Sequence, residues 1–75
     1  MAVIYVLPRS IFVKLFPVRI LMEAGIIENR SGRPEAIYYV VSKQKVVVIP
    51  GRGTYAERRL KTLYDAGIIK RVIVR

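Results

Sequence analysis

The chain has 75 residues and a mass of 8.6 kDa, so it forms one small domain with one core. Fourteen Lys and Arg against five Asp and Glu give a formal net charge of +9, while 53% of residues are hydrophobic, which excludes low-hydropathy disorder. Cys and His are absent, which excludes disulfides, thiolate nucleophiles, imidazole bases and most zinc or haem sites.

The first half of the chain is predicted to contain three strands and one short helix. Apolar and β-branched residues favour strands at 2–7, at 11–16 and from residue 26 onward. Pro17 fits the first turn of a helix over 17–24, because that position has no intrahelical partner for an N–H group.

A single helix over 10–24, with Ser10 as its N-cap, is the alternative to a turn at 8–10 followed by a strand. In that longer helix Pro17 would remove an interior hydrogen bond, at a cost of about 3 kcal/mol. The shorter helix is therefore the preferred prediction.

The second half is predicted to form a hairpin, a helix and a closing strand. The β-branched and aromatic runs at 36–41 and 45–49, separated by Ser-Lys-Gln, are typical of a β-hairpin. A further β-branched run at 68–74, interrupted by Lys70 and Arg71, indicates the closing strand.

The helix of the second half carries start and stop signals. Thr54 and Glu57 have the spacing of a capping box, in which the two side chains bond N–H groups at the helix start. Apolar residues recur with helical spacing from Ala56 to Tyr64, which predicts one buried stripe. Gly67 is placed to end the helix as its C′ residue.

Two pairs of segments indicate an internal repeat. Residues 2–15 align with 36–49, and LMEAGII at 21–27 aligns with LYDAGII at 63–69. The first alignment pairs residue 2 with residue 36, and the second pairs residue 21 with residue 63. The second copy is therefore longer by eight residues, which we place at 51–58.

We therefore predict a single domain over 1–75 with repeat units 2–35 and 36–75, each ordered strand, strand, helix, strand. The fold class is α+β, a small sheet or barrel with two helices and pseudo-twofold symmetry. Strands such as 46–49 lack polar alternation, so both of their faces are expected to be covered, the second one either by closure of a barrel or by a partner.

Residues 54–72, TYAERRLKTLYDAGIIKRV, resemble the recognition helix and following strand of winged-helix proteins. Residues 21–41 resemble a helix end, a strand, a basic wing tip at 29–34 and a returning strand of the same family. The winged helix is therefore the alternative fold. That family has two helices before its recognition helix, and the sequence does not predict them here. Residues 45–68 also resemble the strand-Pro-helix core of swapped-hairpin DNA-binding proteins, and the tandem order resembles double-psi barrels.

The winged-helix resemblance implies contacts to duplex DNA. In that family the recognition helix enters the major groove and wing arginines contact the backbone or minor groove. By position the resemblance implicates Arg58, Arg59, Lys61, Arg30 and Arg33.

Basic residues cluster at predicted loops and helix ends, where they are candidates for binding phosphates. These candidates are Arg30, Arg33, Lys43, Lys45, Arg52, Arg58, Arg59, Lys61, Lys70 and Arg71. Each one alone is compatible with a solvated surface charge. The net charge of +9 nevertheless favours a polyanionic partner, which relieves self-repulsion.

Gly51-Arg52-Gly53 precedes the N-terminus of the predicted helix, where free N–H groups and the helix dipole favour an anion. This pattern predicts a backbone anion site made by Gly51, Gly53 and Thr54. An ordinary strand-to-helix turn, in which Gly supplies a positive φ, is the alternative.

Tyr38 and Tyr55 are candidates for stacking on unpaired bases. Other aromatic side chains are expected to pack in the core, namely Phe12, Phe16, Tyr39 and Tyr64.

The five carboxylates are dispersed, so we expect no catalytic residue, no metal, no cofactor and no enzymatic activity. No apolar run reaches the roughly 18 to 20 residues of a membrane span, and no signal peptide is evident, so a cytoplasmic location without a membrane partner is expected.

The leading hypothesis is an RNA-binding structural component of a ribonucleoprotein, such as an archaeal-type ribosome, with nucleic acid and neighbouring proteins as partners. The composition, with few thermolabile residues, is typical of a thermophile. One alternative is a dimeric regulator or chromatin protein that binds double-stranded DNA. A second alternative is a structural protein that assembles through exposed strand edges.

Overall fold

The computed structural model describes residues 2–18 and 20–75. Their elements follow in the order β1 (Ala2–Pro8), α1 (Arg9–Leu15), β2 (Ala24–Glu28), β3 (Pro34–Val40), β4 (Lys45–Pro50), α2 (Tyr55–Asp65) and β5 (Lys70–Val74). The α+β class is confirmed.

The five strands form one antiparallel sheet in the order β2-β3-β4-β1-β5. In the described part of the chain β2 and β5 are not paired with each other, so the sheet is open and has two edges. The predicted barrel is therefore wrong. The hairpin of β3 and β4 and the closing strand β5 are confirmed within one or two residues of the predicted bounds.

The predicted strand at 11–16 is wrong, because these residues belong mainly to α1. Phe12, Leu15 and Phe16 have i, i+3, i+4 spacing, and all three are buried, so a helix places them on one face. Phe16 adopts an extended conformation with φ −124° and ψ 99°. The following Pro17 disfavours the α conformation at this residue and thereby ends the helix.

Neither prediction for the segment after α1 holds. The described residues of 17–24 form no helix, and Arg19 lies outside the described residues. The longer helix over 10–24 was right about where a helix lies and wrong about its length. Because α1 ends at Leu15, Pro17 does not lie inside a helix and removes no interior hydrogen bond.

The capping signals of α2 are confirmed. The Thr54 hydroxyl accepts a hydrogen bond from the Glu57 N–H at 3.2 Å, and the Glu57 carboxylate accepts one from the Gly53 N–H at 3.0 Å. At the other end Gly67 has φ +78°. The N–H groups of Gly67 and Ile68 donate to the carbonyls of Tyr64 and Leu63, each at 3.0 Å, which is a Schellman motif.

Both helices pack on the same face of the sheet. The core contains Phe12, Leu15 and Phe16 on the α1 side, and Ala56 and Leu60 from α2. These side chains cover alternate residues of the strands, namely Tyr5, Leu7, Ile27, Ala36, Tyr38, Val46 and Val48. The core therefore lies between one helical layer and one face of the sheet.

The duplicated unit and its pseudo-twofold symmetry are not confirmed. The four residues AGII at 24–27 lie in β2, whereas the same four residues at 66–69 form the end of α2 and the turn after it. Gly67 has a positive φ and Gly25 does not. The winged-helix alternative is also wrong, because α2 is preceded by one helix and four strands.

The second face of the sheet is not covered by the part of the chain that the structure describes. We call it the open face, and its outward apolar side chains, assigned by strand alternation, are Ala2, Ile4, Val6, Ile26, Ile37, Tyr39, Val47, Ile49, Val72 and Val74. Of the two expected covers for this face, barrel closure is wrong, and cover by a partner stays a prediction. Residues 2–18 and 20–75 contain two helices, and both of them pack on the opposite face.

Candidate nucleic-acid interface

Four cationic side chains come together at one end of the sheet. Strand pairing places Lys45 opposite Pro8, and Lys70 opposite Val6, so both lysines flank the end of β1. Arg9 follows directly at the start of α1, and Lys43 lies in the turn between β3 and β4. Residues distant in sequence thereby become neighbours.

These four side chains line a pocket of about 730 Å³, which we call the cationic pocket. Its other polar side chains belong to Ser10 and Gln44, and its apolar lining includes Leu7, Val13 and Ile69. Among residues 2–18 and 20–75, no Asp or Glu lines this pocket. All charged side chains that line it are therefore positive.

Backbone hydrogen bonds hold the loops of the cationic pocket in place. The Arg9 N–H donates to the Gln44 carbonyl at 2.8 Å, which joins the start of α1 to the turn. The Ser42 hydroxyl accepts hydrogen bonds from the N–H groups of Gln44 at 3.3 Å and Lys45 at 3.1 Å. The backbone that carries Lys43 and Lys45 is thus ordered before any ligand binds.

The chemistry of the cationic pocket suits a phosphate-bearing ligand. Lysine ammonium groups act as mobile point charges, and the Arg9 guanidinium offers a planar fork for phosphate oxygens. The apolar lining offers a surface for a flat or aliphatic group attached to that phosphate.

Sequence reasoning predicted Lys43, Lys45 and Lys70 as nucleic-acid-binding residues but missed Arg9. Arg9 joins the pocket because β1 pairs with β4, which brings residue 9 beside the β3–β4 turn. That pairing depends on the order of strands in the sheet.

Other predicted basic residues lie at the opposite end of the sheet. Arg30 and Arg33 lie in the turn between β2 and β3, and Arg52 lies in the turn between β4 and α2. All three are exposed. The pairing of Ala36 with Pro50 brings these two turns to the same end.

A second concavity of about 870 Å³ lies at this end, and we call it the Tyr55 groove. It is lined by Tyr55, Arg30 and Arg59, and also by the acidic residues Glu28 and Glu35. Its charge is therefore mixed, in contrast to that of the cationic pocket.

Two predicted contacts, Arg59 and Arg71, are engaged within the fold. The Arg59 guanidinium donates to the Leu15 carbonyl at 3.3 Å and lies 5.6 Å from the centre of the Tyr55 ring. The Arg71 guanidinium lies 4.1 Å from the centre of the Tyr64 ring. A side-chain hydrogen bond with Tyr5 is the largest cause that raises the pKa of Arg71, and Tyr64 adds to it.

The predicted backbone anion site already has internal partners. The Gly51 N–H donates to the Glu35 carbonyl at 2.7 Å, and the Thr54 N–H donates to the Gly51 carbonyl at 3.3 Å. The Gly53 N–H is bonded to the Glu57 carboxylate. An anion at this helix start would therefore have to displace Glu57.

The expected burial of two neighbouring tyrosines, Tyr38 and Tyr39, is exchanged in the structure. Tyr38 is 3% exposed, its ring centre lies 5.2 Å from that of Phe12, and its hydroxyl accepts a hydrogen bond from the Met22 N–H. Tyr38 therefore belongs to the core and presents no ring face to a base. Tyr39, expected in the core, is on the open face and 43% exposed, because alternate residues of a strand point to opposite faces.

Tyr55 is 61% exposed at the start of α2, so it stays accessible as a stacking candidate. Arg58 and Lys61 are also exposed on α2. Within the described ranges, the structure contains no group of three acidic side chains placed to hold a metal and no helix long and apolar enough to cross a membrane.

Comparisons of the chain with protein families, with curated proteins and with solved structures found no match.

Proposed function

We propose that this chain is a non-enzymatic RNA-binding protein that serves as a structural component of a ribonucleoprotein. The observation that supports this proposal most strongly is the cationic pocket, in which four basic side chains line one concavity without a carboxylate. Four of the twelve lining residues are basic, whereas 14 of the 75 residues of the chain are basic.

The shape of the pocket favours RNA with unpaired nucleotides over a duplex. Sequence-specific RNA recognition targets single strands, whose unstacked bases stack on aromatic side chains or on the plane of an Arg guanidinium, and in this pocket Arg9 offers such a plane. Here the basic side chains of Arg9, Lys43, Lys45 and Lys70 are exposed, and apolar side chains complete the lining. A duplex presents a continuous convex backbone that would contact only the rim.

The remaining exposed basic residues extend this interaction over the rest of the protein. Arg30, Arg33 and Arg52 at the far end of the sheet contribute long-range attraction to the same polyanion. This extended distribution of charge fits a protein embedded among RNA segments.

The test is a salt titration of binding to single-stranded RNA, structured RNA and duplex DNA of matched length. The triple variant Lys43→Ala, Lys45→Ala, Lys70→Ala is compared with the native chain through about 50 to 200 mM salt. If the three lysines each neutralise one phosphate, the slope of log K against log salt falls by about 2 for single strands.

The matched control is Lys14→Ala, Arg58→Ala, Lys61→Ala, which removes the same charge from exposed helix positions outside the pocket. Equal losses of RNA affinity in both triple variants would reject the cationic pocket as a site. No salt-sensitive binding to any of the three nucleic acids would reject the function itself.

A second candidate function is binding of duplex DNA through α2. It is favoured by the exposure of Arg58 and Lys61 on one side of that helix, whose opposite side packs on the sheet through Ala56 and Leu60. Sequence-dependent duplex binding that is lost in the control triple variant, and kept in the pocket variant, would support this candidate instead.

A further inference from the structure

The open face is apolar across all five strands. One row of paired residues runs Ile26, Ile37, Ile49, and a second runs Tyr39, Val47, Val6. On β5 the exposed residues Val72 and Val74 are paired with Ile4 and Ala2. These last pairs continue the apolar surface to the edge of the sheet.

The exposure of these side chains is unusual for large aliphatic residues on a small domain. Ile26 is 59% exposed, and Ile37 is 43% exposed in the interior of the sheet. Charged side chains of the adjoining strands lie at the rim, with Lys45 and Lys70 both at the end that carries the cationic pocket.

The open face is as large as the largest apolar patches of monomeric proteins, which are often functional. Strands about 4.8 Å apart with a rise of about 3.3 Å per residue give a five-strand face of about 24 Å by 16 Å, or about 400 Å² in plan. Contiguous exposed apolar patches of monomers seldom exceed about 300 to 600 Å². The plan area is about half of the roughly 800 Å² that each partner buries in a standard interface, and the accessible surface of the protruding side chains adds to it.

We propose that the open face binds the open face of a second copy of this chain, so that two sheets pack into a sandwich. A two-fold dimer needs a surface complementary to itself. A face of β-branched side chains with its charges at the rim meets this requirement, because every apolar row contacts another apolar row.

The position of the rim lysines is compatible with this pairing. A two-fold axis that runs across the strands places the lysine end of one sheet over the opposite end of the other. Lys45 and Lys70 of the two copies are then separated by about 16 Å along the strands, which is beyond the Debye length at physiological salt. The end that these lysines face carries Glu28 and Glu35 as well as the arginine-bearing turns at 29–33 and 51–54, so charges of both signs meet there. The helices remain on the outside of the dimer, and each cationic pocket lies at the rim of the interface, because Val6, Lys45 and Lys70 line the pocket and belong to the open face or its rim.

The composition of the open face favours a protein partner over a nucleic acid. Its interior has aliphatic side chains and a single aromatic one, Tyr39, whereas sheets that bind RNA use several aromatic residues for stacking. Burial of this face by another copy also adds the second layer that an apolar sheet requires.

Sedimentation equilibrium from micromolar to submillimolar concentration tests the proposal with the full chain. The native protein is expected to reach twice its mass of 8.6 kDa, with dimerisation strengthened by high salt. Ile37→Glu is expected to give a monomer over the same range, and Ile37→Thr, which retains β-branching, to weaken dimerisation at least tenfold. Met22→Glu, at a 64% exposed loop position on no strand, is the control and is expected to dimerise as the native chain does.

A native chain that stays monomeric at submillimolar concentration would overturn the proposal. A dimer unaffected by both Ile37 substitutions, with circular dichroism showing that each variant is folded, would also overturn it. Binding of the monomer to vesicles of anionic lipid, lost in Ile37→Glu, would assign the face to a membrane surface instead. High salt weakens RNA binding and strengthens dimerisation, so the two proposals fail independently.

Discussion

The backbone N–H of Arg9 donates a hydrogen bond to the carbonyl of Gln44 at 2.8 Å, which links the start of α1 to the turn between β3 and β4. The two residues are far apart in the chain, and the contact arises because β1 and β4 are neighbours in the sheet. Its consequence is that the backbone of Arg9 lies beside the turn that carries Lys43. The loops that line the cationic pocket are therefore held by the main chain.

Ser42→Ala is expected to loosen the β3–β4 turn, because its hydroxyl accepts hydrogen bonds from the N–H groups of Gln44 and Lys45. The expected loss of unfolding free energy is about 1 kcal/mol, and RNA affinity is expected to fall by at most about fivefold. Urea unfolding and RNA titration measure the two effects. Ser31→Ala, in the β2–β3 turn, is the control, since it leaves the pocket untouched. If Ser31→Ala lost as much RNA affinity as Ser42→Ala, Ser42 would have no specific role in ordering the cationic pocket.

Thr54→Ala is expected to reduce the unfolding free energy by about 1 kcal/mol, because it removes the acceptor of the Glu57 N–H at the start of α2. The measurement is the urea midpoint at constant m-value. Thr62→Ala removes a hydroxyl that donates to the Arg58 carbonyl inside the same helix, and is expected to have a smaller effect. Similar losses for both variants would argue against a specific capping contribution.

Gly67→Ala is expected to destabilise the fold by about 1 to 2 kcal/mol, because residue 67 has φ +78° and a Cβ is disfavoured in that conformation. No heavy atom lies within 4 Å of the position of an added Cβ, so the cost comes from the backbone alone. Gly67→Asn is therefore expected to cost less, since Asn tolerates this conformation. The comparison uses thermal unfolding, and an Asn variant as unstable as the Ala variant would point to a steric cause.

Tyr55→Ala is expected to lower affinity for long single-stranded RNA by about 1 to 3 kcal/mol if its exposed ring stacks on a base. Tyr55→Phe keeps the ring and is expected to bind as the native chain does. The Tyr55 groove and the cationic pocket lie at opposite ends of the sheet, so a dinucleotide reaches only one of them. Fluorescence titration with RNAs of increasing length separates the two sites. A loss confined to dinucleotides would contradict this arrangement.

Local signals predicted the second half of the chain well. Thr54, Glu57 and Gly67 mark the ends of α2 because caps depend on hydrogen bonds within a few residues. The hairpin of β3 and β4 followed from two β-branched runs around a short turn. Such interactions act over short stretches of chain and can be recognised without knowledge of the fold.

The first half was predicted poorly because its local preferences conflict. Residues 11–16 contain Ile, Phe and Val, which favour a strand, yet they form most of α1 since a helix buries Phe12, Leu15 and Phe16 together. The two AGII segments likewise adopt different structures, because one pairs with β3 and the other ends α2. Tertiary packing therefore overrode the apparent repeat.

The sequence by itself determined the α+β class, the capped helix α2 and the strongly basic character of the chain, because these depend on composition and on near neighbours. The tertiary structure alone decided which basic residues converge, which tyrosine is buried and which face of the sheet is open. Those features depend on strand order and on strand alternation, in which one residue of register exchanges the two faces. Arg9 beside Lys45, and Tyr38 inside while Tyr39 is outside, are the result.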